Sequence, residues 1–241
     1  MRPRVGRTGV MRALLPRAAL LAASLLVVPV HAETVKKFSV SGFTKLDLKV
    51  PLNVTVRPGK EFSLTLVVRD SEVADKISAE VHGDTLVISA NEHSLRTHGK
   101  DKATLTLPDL RGVSISGSGD VDVAGFDQGA AMSLDIAGSG DINYSGKSSA
   151  MAVAIAGSGN VKLLGSTGSL SVSIEGSGDL QASEFSAKNA SVAVSGSGDA
   201  DLRVSGGAVQ FTVNGSGDIR WSGDASVVSA VTHGSGSIKK H

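Results

Sequence analysis

SVAVSGSGDADL, residues 191–202, decides how this chain is read. Val192 and Val194 alternate with the small residues Ser191, Ala193 and Ser195. A Gly-Ser-Gly-Asp corner follows, and then Ala200 and Leu202 alternate with Asp201. A period of two puts the apolar side chains on one face of a strand and the polar ones on the other. The stretch is one strand entering a corner and a second strand leaving it.

The same pattern recurs. Gly-Ser-Gly begins at Gly117, Gly138, Gly157, Gly176, Gly196, Gly215 and Gly234, at intervals of 21, 19, 19, 20, 19 and 19 residues. Before the corners stand the pairs Val113/Ile115, Leu134/Ile136, Val153/Ile155, Val172/Ile174, Val192/Val194 and Phe211/Val213. After them come Val121, Ile142, Val161, Leu180, Ala200, Ile219 and Ile238, each followed by a polar residue. A short regular period of this kind marks a solenoid coil, whose apolar face is buried only by stacking on its neighbours. A shorter third side, often with glycine (Gly125, Gly146, Gly165, Gly223), closes each coil. The expected fold is all-β: a parallel β-helix of about seven regular 19–21-residue coils over residues 113–241, with right-handed crossovers. The last copy is degraded, with Ala230 and Thr232 in the apolar slots and Lys239 and Lys240 after Ile238. A polar last coil discourages end-to-end growth.

Residues 33–112 lack the corner motif but are strand-rich. Strands are expected at Leu46–Val50, Val54–Arg57, Phe62–Val68, Leu86–Ser89 and Ala103–Leu107. The segment forms either irregular first coils or a cap, with Asn91–Lys102 as an exposed charged loop. Tyr144 and Trp221 fall in the inward phase and are expected in the core.

Residues 1–32 differ in kind. Arg2, Arg4, Arg7, Arg12 and Arg17 precede an apolar run, Ala18–Val28, which ends at Val30-His31-Ala32. A basic start, a short apolar run and a small-residue exit describe a secretory signal peptide; Met11 would also start a complete one. The run is too short for a comfortable permanent span, and no second one follows. The expected address is outside the cytoplasm, in the periplasm, at the cell surface or in the extracellular space. The full chain carries +1 and the leader five arginines and no acid, so the remainder carries −4. That charge gives solubility and no footprint for nucleic acid. With no cysteine, no disulfide holds the fold together.

Three blocks, SGFTKLDLKVPLNVTVRPG (41–59), GDTLVIS (83–89) and LTLPDLRGVSISGSGDVDV (105–123), resemble the GIN-domain family, labelled "putative auto-transporter adhesin head". The resemblance covers nearly all of the chain after the leader. It implies a β-helical fold and a bacterial envelope or secreted setting, and carries over no functional residues.

The column after the corners, Asp120, Asp141, Asn160, Asp179, Asp199, Asp218 and Ser237, admits two readings. As a ladder of oxygens it could hold a hard cation such as calcium, with Asp179, Asp199 and Asp218 as the candidate ligands. As a structural column, each side chain accepts a bond from a nearby backbone N–H, which Asp, Asn and Ser can all do. Repulsion between exposed neighbouring carboxylates is small, about 0.9 kcal/mol at roughly 4.8 Å in water. The structural reading is preferred, with no cofactor.

Catalysis has little support. Phosphate-binding glycine motifs and a nucleophilic serine elbow are absent, and the outward Asp122, Lys162, Asp201 and Arg220 form no acid–base grouping. Asp201 and Arg220 are expected to pair across adjacent coils. His93 and His98 are expected in a solvated loop, and His233 on the surface. The expected function is that of an exported envelope β-solenoid, a non-catalytic binding, scaffold or adhesion-like module whose partner is an envelope polysaccharide or protein. The alternatives are a polysaccharide-active β-helix enzyme and a calcium-stabilised structural element.

Overall fold

The computed structural model describes residues 33–91, 101–127 and 129–241. The signal-peptide reading of 1–32, and His93 and His98, lie outside the described residues. The described residues form one compact unit.

Alternation of apolar and polar residues gives the regular strands their faces. Strands β8 (Gly112–Ile115) and β9 (Asp120–Phe126) flank the first Gly-Ser-Gly corner. Then come β10 (Met132–Gly138), β11 (Ile142–Gly157), β12 (Val161–Gly176), β13 (Leu180–Gly196), β14 (Ala200–Val204), β15 (Ala208–Gly215), β16 (Asp218–Ser222), β17 (Ser226–Gly234) and β18 (Ser237–Lys240). All pair in parallel with the equivalent strand of a neighbouring coil: Val153 faces Val172, which faces Val192, which faces Phe211. The result is the expected parallel β-solenoid of about seven turns. Inward columns form one continuous core that includes Tyr144 and Trp221, 1% and 3% exposed. Each such Val, Ile or Leu contributes about 1.5–3 kcal/mol by leaving water. β11, β12 and β13 run unbroken around the third side, where the buried Ser148 hydroxyl donates to Thr167 Oγ1 at 3.0 Å.

The corners hold the coils at this spacing. The carbonyl of Gly157 accepts from both Ser177 N (2.9 Å) and Gly178 N (3.2 Å), and the pattern repeats from corner to corner. A Cβ on Gly178 would overlap the carbonyl oxygen of Gly159, and one on Gly176 that of Gly157. Gly176 also has φ +128°, a region that side chains disfavour. Glycine is therefore required by close approach at both places.

Residues 33–112 contain β1 (Thr34–Phe38), β2 (Lys45–Leu48), β3 (Asn53–Pro58), β4 (Ser63–Val68), α1 (Ser71–Lys76), β5 (Ile77–His82), β6 (Thr85–Ala90) and β7 (Lys102–Leu107). β2 lies in parallel between β8 and β6, and β3 between β9 and β7. Two irregular coils thus continue the stack, and the β2–β3 coil sits nearer the regular coils than the β6–β7 coil. Beyond them the pairing turns antiparallel: β5 covers β6, β4 covers β7, and β1 covers β4. α1, capped by the Asp70 carboxylate accepting from Glu72 N at 2.9 Å, adds Val73 and Ala74 to the core. Lys36 Nζ donates to the carbonyls of Ala74 (2.7 Å) and Ile77 (3.2 Å), where the end of a helix favours a cation.

Two expectations need correction. Asn91–Lys102 is not an exposed loop throughout: Asp101 is 3% exposed and accepts from Arg69 N at 3.2 Å, and Lys102 opens β7. The last coil is less polar at its surface than its substitutions imply, because Val227, Val228 and Val231 are 51%, 64% and 40% exposed. Lys240 takes an inward slot opposite Trp221, its ammonium 4.7 Å from the ring centre. An inward-pointing charge at a sheet edge discourages addition of a further strand.

Gly178→Ala is expected to destabilise the protein by about 3 kcal/mol or more, since backbone and not a flexible side chain must yield. The neighbouring exposed change Ser177→Ala should stay within about 0.5 kcal/mol. Urea unfolding of the two variants makes the comparison.

Candidate functional site

The corner column is the first candidate. Asp120 Oδ1 accepts from Asp141 N at 3.0 Å, Asp141 Oδ1 from Asn160 N at 2.8 Å, and Asn160 Oδ1 from Asp179 N at 3.1 Å. Asp179 Oδ1 then accepts from Asp199 N, Asp199 Oδ1 from Asp218 N, and Asp218 Oδ1 from Ser237 N, at 2.8, 2.8 and 2.9 Å. Each side chain thus holds the backbone of the following coil. This geometry suits Asp and Asn equally, since either offers one oxygen at Oδ1.

Asp179, Asp199 and Asp218 share this column but do not converge as a metal-binding group. Arg220 occupies the second oxygens of two of them, donating to Asp199 Oδ2 and Asp218 Oδ2 at 3.1 Å each. Asp201 is its cross-coil register neighbour, as expected, yet the guanidinium bonds turn to the corner instead. Two corner carboxylates on one side attract it more than the single carboxylate of Asp201. Bonds from the Ser237 hydroxyl and N–H, then the Arg220 and Lys239 charges, hold the Asp218 carboxyl below its ordinary value.

A second candidate lies beside the column, on the outward face of the strands that leave the corners. A groove of about 200 Å³ is lined by Asp122, Ala124, Asn143, Ser145, Lys162 and Leu164. β9 places Asp122 and Ala124, β11 places Asn143 and Ser145, and β12 places Lys162 and Leu164. Asp122 faces Asn143, which faces Lys162, in adjacent coils. Asp122 is paired with Arg57 Nη2 at 2.6 Å. Among the described residues, neither the Asn143 amide nor the Lys162 ammonium has a hydrogen-bond or ion-pair partner. Beneath them, burial and then the Asp127 charge push the Tyr144 phenol up to about 12. It remains a neutral donor, 3.4 Å from the Phe126 carbonyl. The wall can therefore donate, accept and attract one negative charge. Sequence reasoning noted Lys162 and Asp122 only as members of a mixed column. His233 is exposed, as expected.

A family model described as "Putative auto-transporter adhesin, head GIN domain" matches residues 42–225. Among solved structures, one from Bacteroides fragilis described as an adhesin covers 88% of this chain and 99% of its own, at 24% identity and a TM-score of 0.80. Another adhesin-described structure, from Parabacteroides distasonis, covers 88% and 98% at 19% identity and a TM-score of 0.68. A third, also from Parabacteroides distasonis and described as a lipid binding protein, covers 87% and 96% at 20% identity and a TM-score of 0.63. At these identities the likeness shows the fold alone. A comparison with curated proteins finds no match. No described helix is long and apolar enough to cross a membrane.

A carboxyl whose folded pKa is depressed adds stability above its unfolded pKa, and that stability is lost as pH falls through the folded value. Acidification below about pH 4 should therefore weaken the terminal coils as Asp218 is protonated. Asp218→Asn keeps the oxygen for Ser237 N and should show a shallower loss, measured by urea unfolding across the acid range.

Proposed function

This chain belongs to the family of auto-transporter adhesin head GIN domains, and from that premise we propose that it works as an exported envelope binding module, adhesion-like and non-catalytic. One observation carries the reading: successive coils present outward side chains in straight columns whose spacing is fixed by backbone pairing. A rigid periodic face suits a partner that is itself periodic or extended, such as an envelope polysaccharide, because little ordering entropy is left to lose on binding. The Arg57–Asp122 and Arg220–Asp199 pairs are spaced as structural ion pairs between coils, each worth about 0.2–1 kcal/mol when exposed. The basic leader-like segment 1–32 supports export to the periplasm or the cell surface. The corner carboxylates serve the backbone, so binding requires no calcium.

The test is binding of the protein to a panel of envelope polysaccharides and peptidoglycan, in calcium and in EDTA. Saturable binding without turnover, unchanged in EDTA, is the expected result. Cleavage of a bound polymer would replace the reading with the enzyme alternative, and loss in EDTA would restore the cation role of Asp179, Asp199 and Asp218. Failure to bind any polymer would contradict the polysaccharide partner.

A further inference from the structure

We propose that the groove at Asp122, Asn143 and Lys162 is the ligand site and that it takes an acidic saccharide, a hydroxyl-bearing ring with one carboxylate. The inference rests on the binding-module reading and adds to it a place and a ligand class.

The place follows from the coil lengths. Coils 142–160 and 161–179 have 19 residues each, between a coil of 21 residues (121–141) and one of 20 (180–199). Extra residues in a parallel stack must leave the ladder as bulges. Register shifts fall at Ser145/Gly146 against β9, and at Lys162/Gly165 against β13, where Ala182, Ser183 and Glu184 oppose two residues. The groove therefore spans the step from the 21-residue coil to the two 19-residue coils.

The ligand class follows from the charges. Lys162 and Arg220 occupy equivalent positions, each next after the first inward residue of its coil. Arg220 is held by its own corner residue, Asp218, and by Asp199 of the coil before. At the corner of the Lys162 coil the column carries Asn160 instead of Asp, so the equivalent carboxylate is missing. Asp141 and Asp179, on the adjacent corners, each take a backbone N–H on Oδ1, Asp141 also the Asn160 amide at 3.0 Å, and neither forms an ion pair with Lys162. Opposite, Arg57 neutralises Asp122. The groove thus presents an ammonium without an ion-pair partner, beside an unpaired amide and the Ser145 hydroxyl. Ala124 and Leu164 offer apolar contact to a ring face. A carboxylate on Lys162, ring hydroxyls on Asn143 and Ser145, and C–H groups on Leu164 use every one of these groups.

The experiment measures binding of a hexuronic-acid oligosaccharide, its neutral hexose counterpart and a muramic-acid-containing glycan by isothermal titration. The two acidic probes distinguish a uronic-acid polymer from peptidoglycan as the carboxylate's source. At least one acidic probe should bind about tenfold more tightly than the neutral one, the worth of one charge-assisted hydrogen bond. Lys162→Glu and the milder Lys162→Gln should lose that advantage, and Asn143→Ala should weaken binding about threefold, the worth of one neutral hydrogen bond. Lys239→Ala, in the same outward column of the last coil, should change nothing. Unchanged melting of each variant shows that the fold survives. Equal binding of acidic and neutral probes, or full acidic binding by Lys162→Glu, would overturn the groove assignment and leave the binding-module reading standing. Absence of any polysaccharide binding by the unmodified protein would overturn the groove's ligand class and, with it, the polysaccharide partner of the proposed function.

Discussion

The structure depends on how closely one glycine corner can approach the next. Two N–H groups, those of Ser177 and Gly178, share the single carbonyl of Gly157, and that sharing requires the corners to stack without Cβ atoms between them. Once the corners are in contact, the strands on either side have no freedom of register, since a one-residue slip would turn every inward Val and Ile to solvent. Core, columns and surface follow from that one contact. The aspartates after the corners reinforce it, each carboxylate oxygen taking an N–H from the next coil.

A regular scaffold makes small departures informative. The corner column is acidic almost throughout, and Arg220 is drawn into it. Asn160 interrupts the column at the coil that carries Lys162, and the lysine is left facing the groove without a carboxylate partner. The two substitutions, Asn for Asp at the corner and Lys for Arg beside it, act together: an ion pair that serves the fold in one coil becomes a free charge in another. The coil-length irregularities put a concavity at the same place. At this position the outward face differs from the corner at Arg220 in charge, and it is concave.

Much of this was legible in the residues. The parallel stack, the inward columns and the core positions of Tyr144 and Trp221 follow from a period of two within a period near twenty, because both periods are imposed by backbone geometry. The structural use of the corner aspartates followed from the interchange of Asp, Asn and Ser, which share little besides an acceptor oxygen. The N-terminal closure was not legible. β1 and β5 are short, and α1 is six residues long; their pairing is set by the open edges of β4 and β6, which no local pattern reveals. The placing of the β2–β3 coil inside the β6–β7 coil is likewise a matter of tertiary pairing, with no periodic signal. Arg220 was assigned to Asp201 because register names the nearest neighbour across the ladder, whereas a long guanidinium side chain can choose among several. The groove did leave a trace in the sequence: it lies where an interval of 21 residues gives way to two of 19, a small departure within a regular series.

Native-state hydrogen exchange resolved to individual amides tests the account most directly. If the corner stack is what holds the coils, the N–H groups of Ser177, Gly178 and Asp199 exchange as slowly as those of the flanking strands Val172–Ile174 and Val192–Val194. Those of Ser226–Lys240, paired on one side only, exchange first. Rapid exchange at the corners while the flanking strands stay protected would contradict it, since the strands would then be holding the corners together and not the reverse.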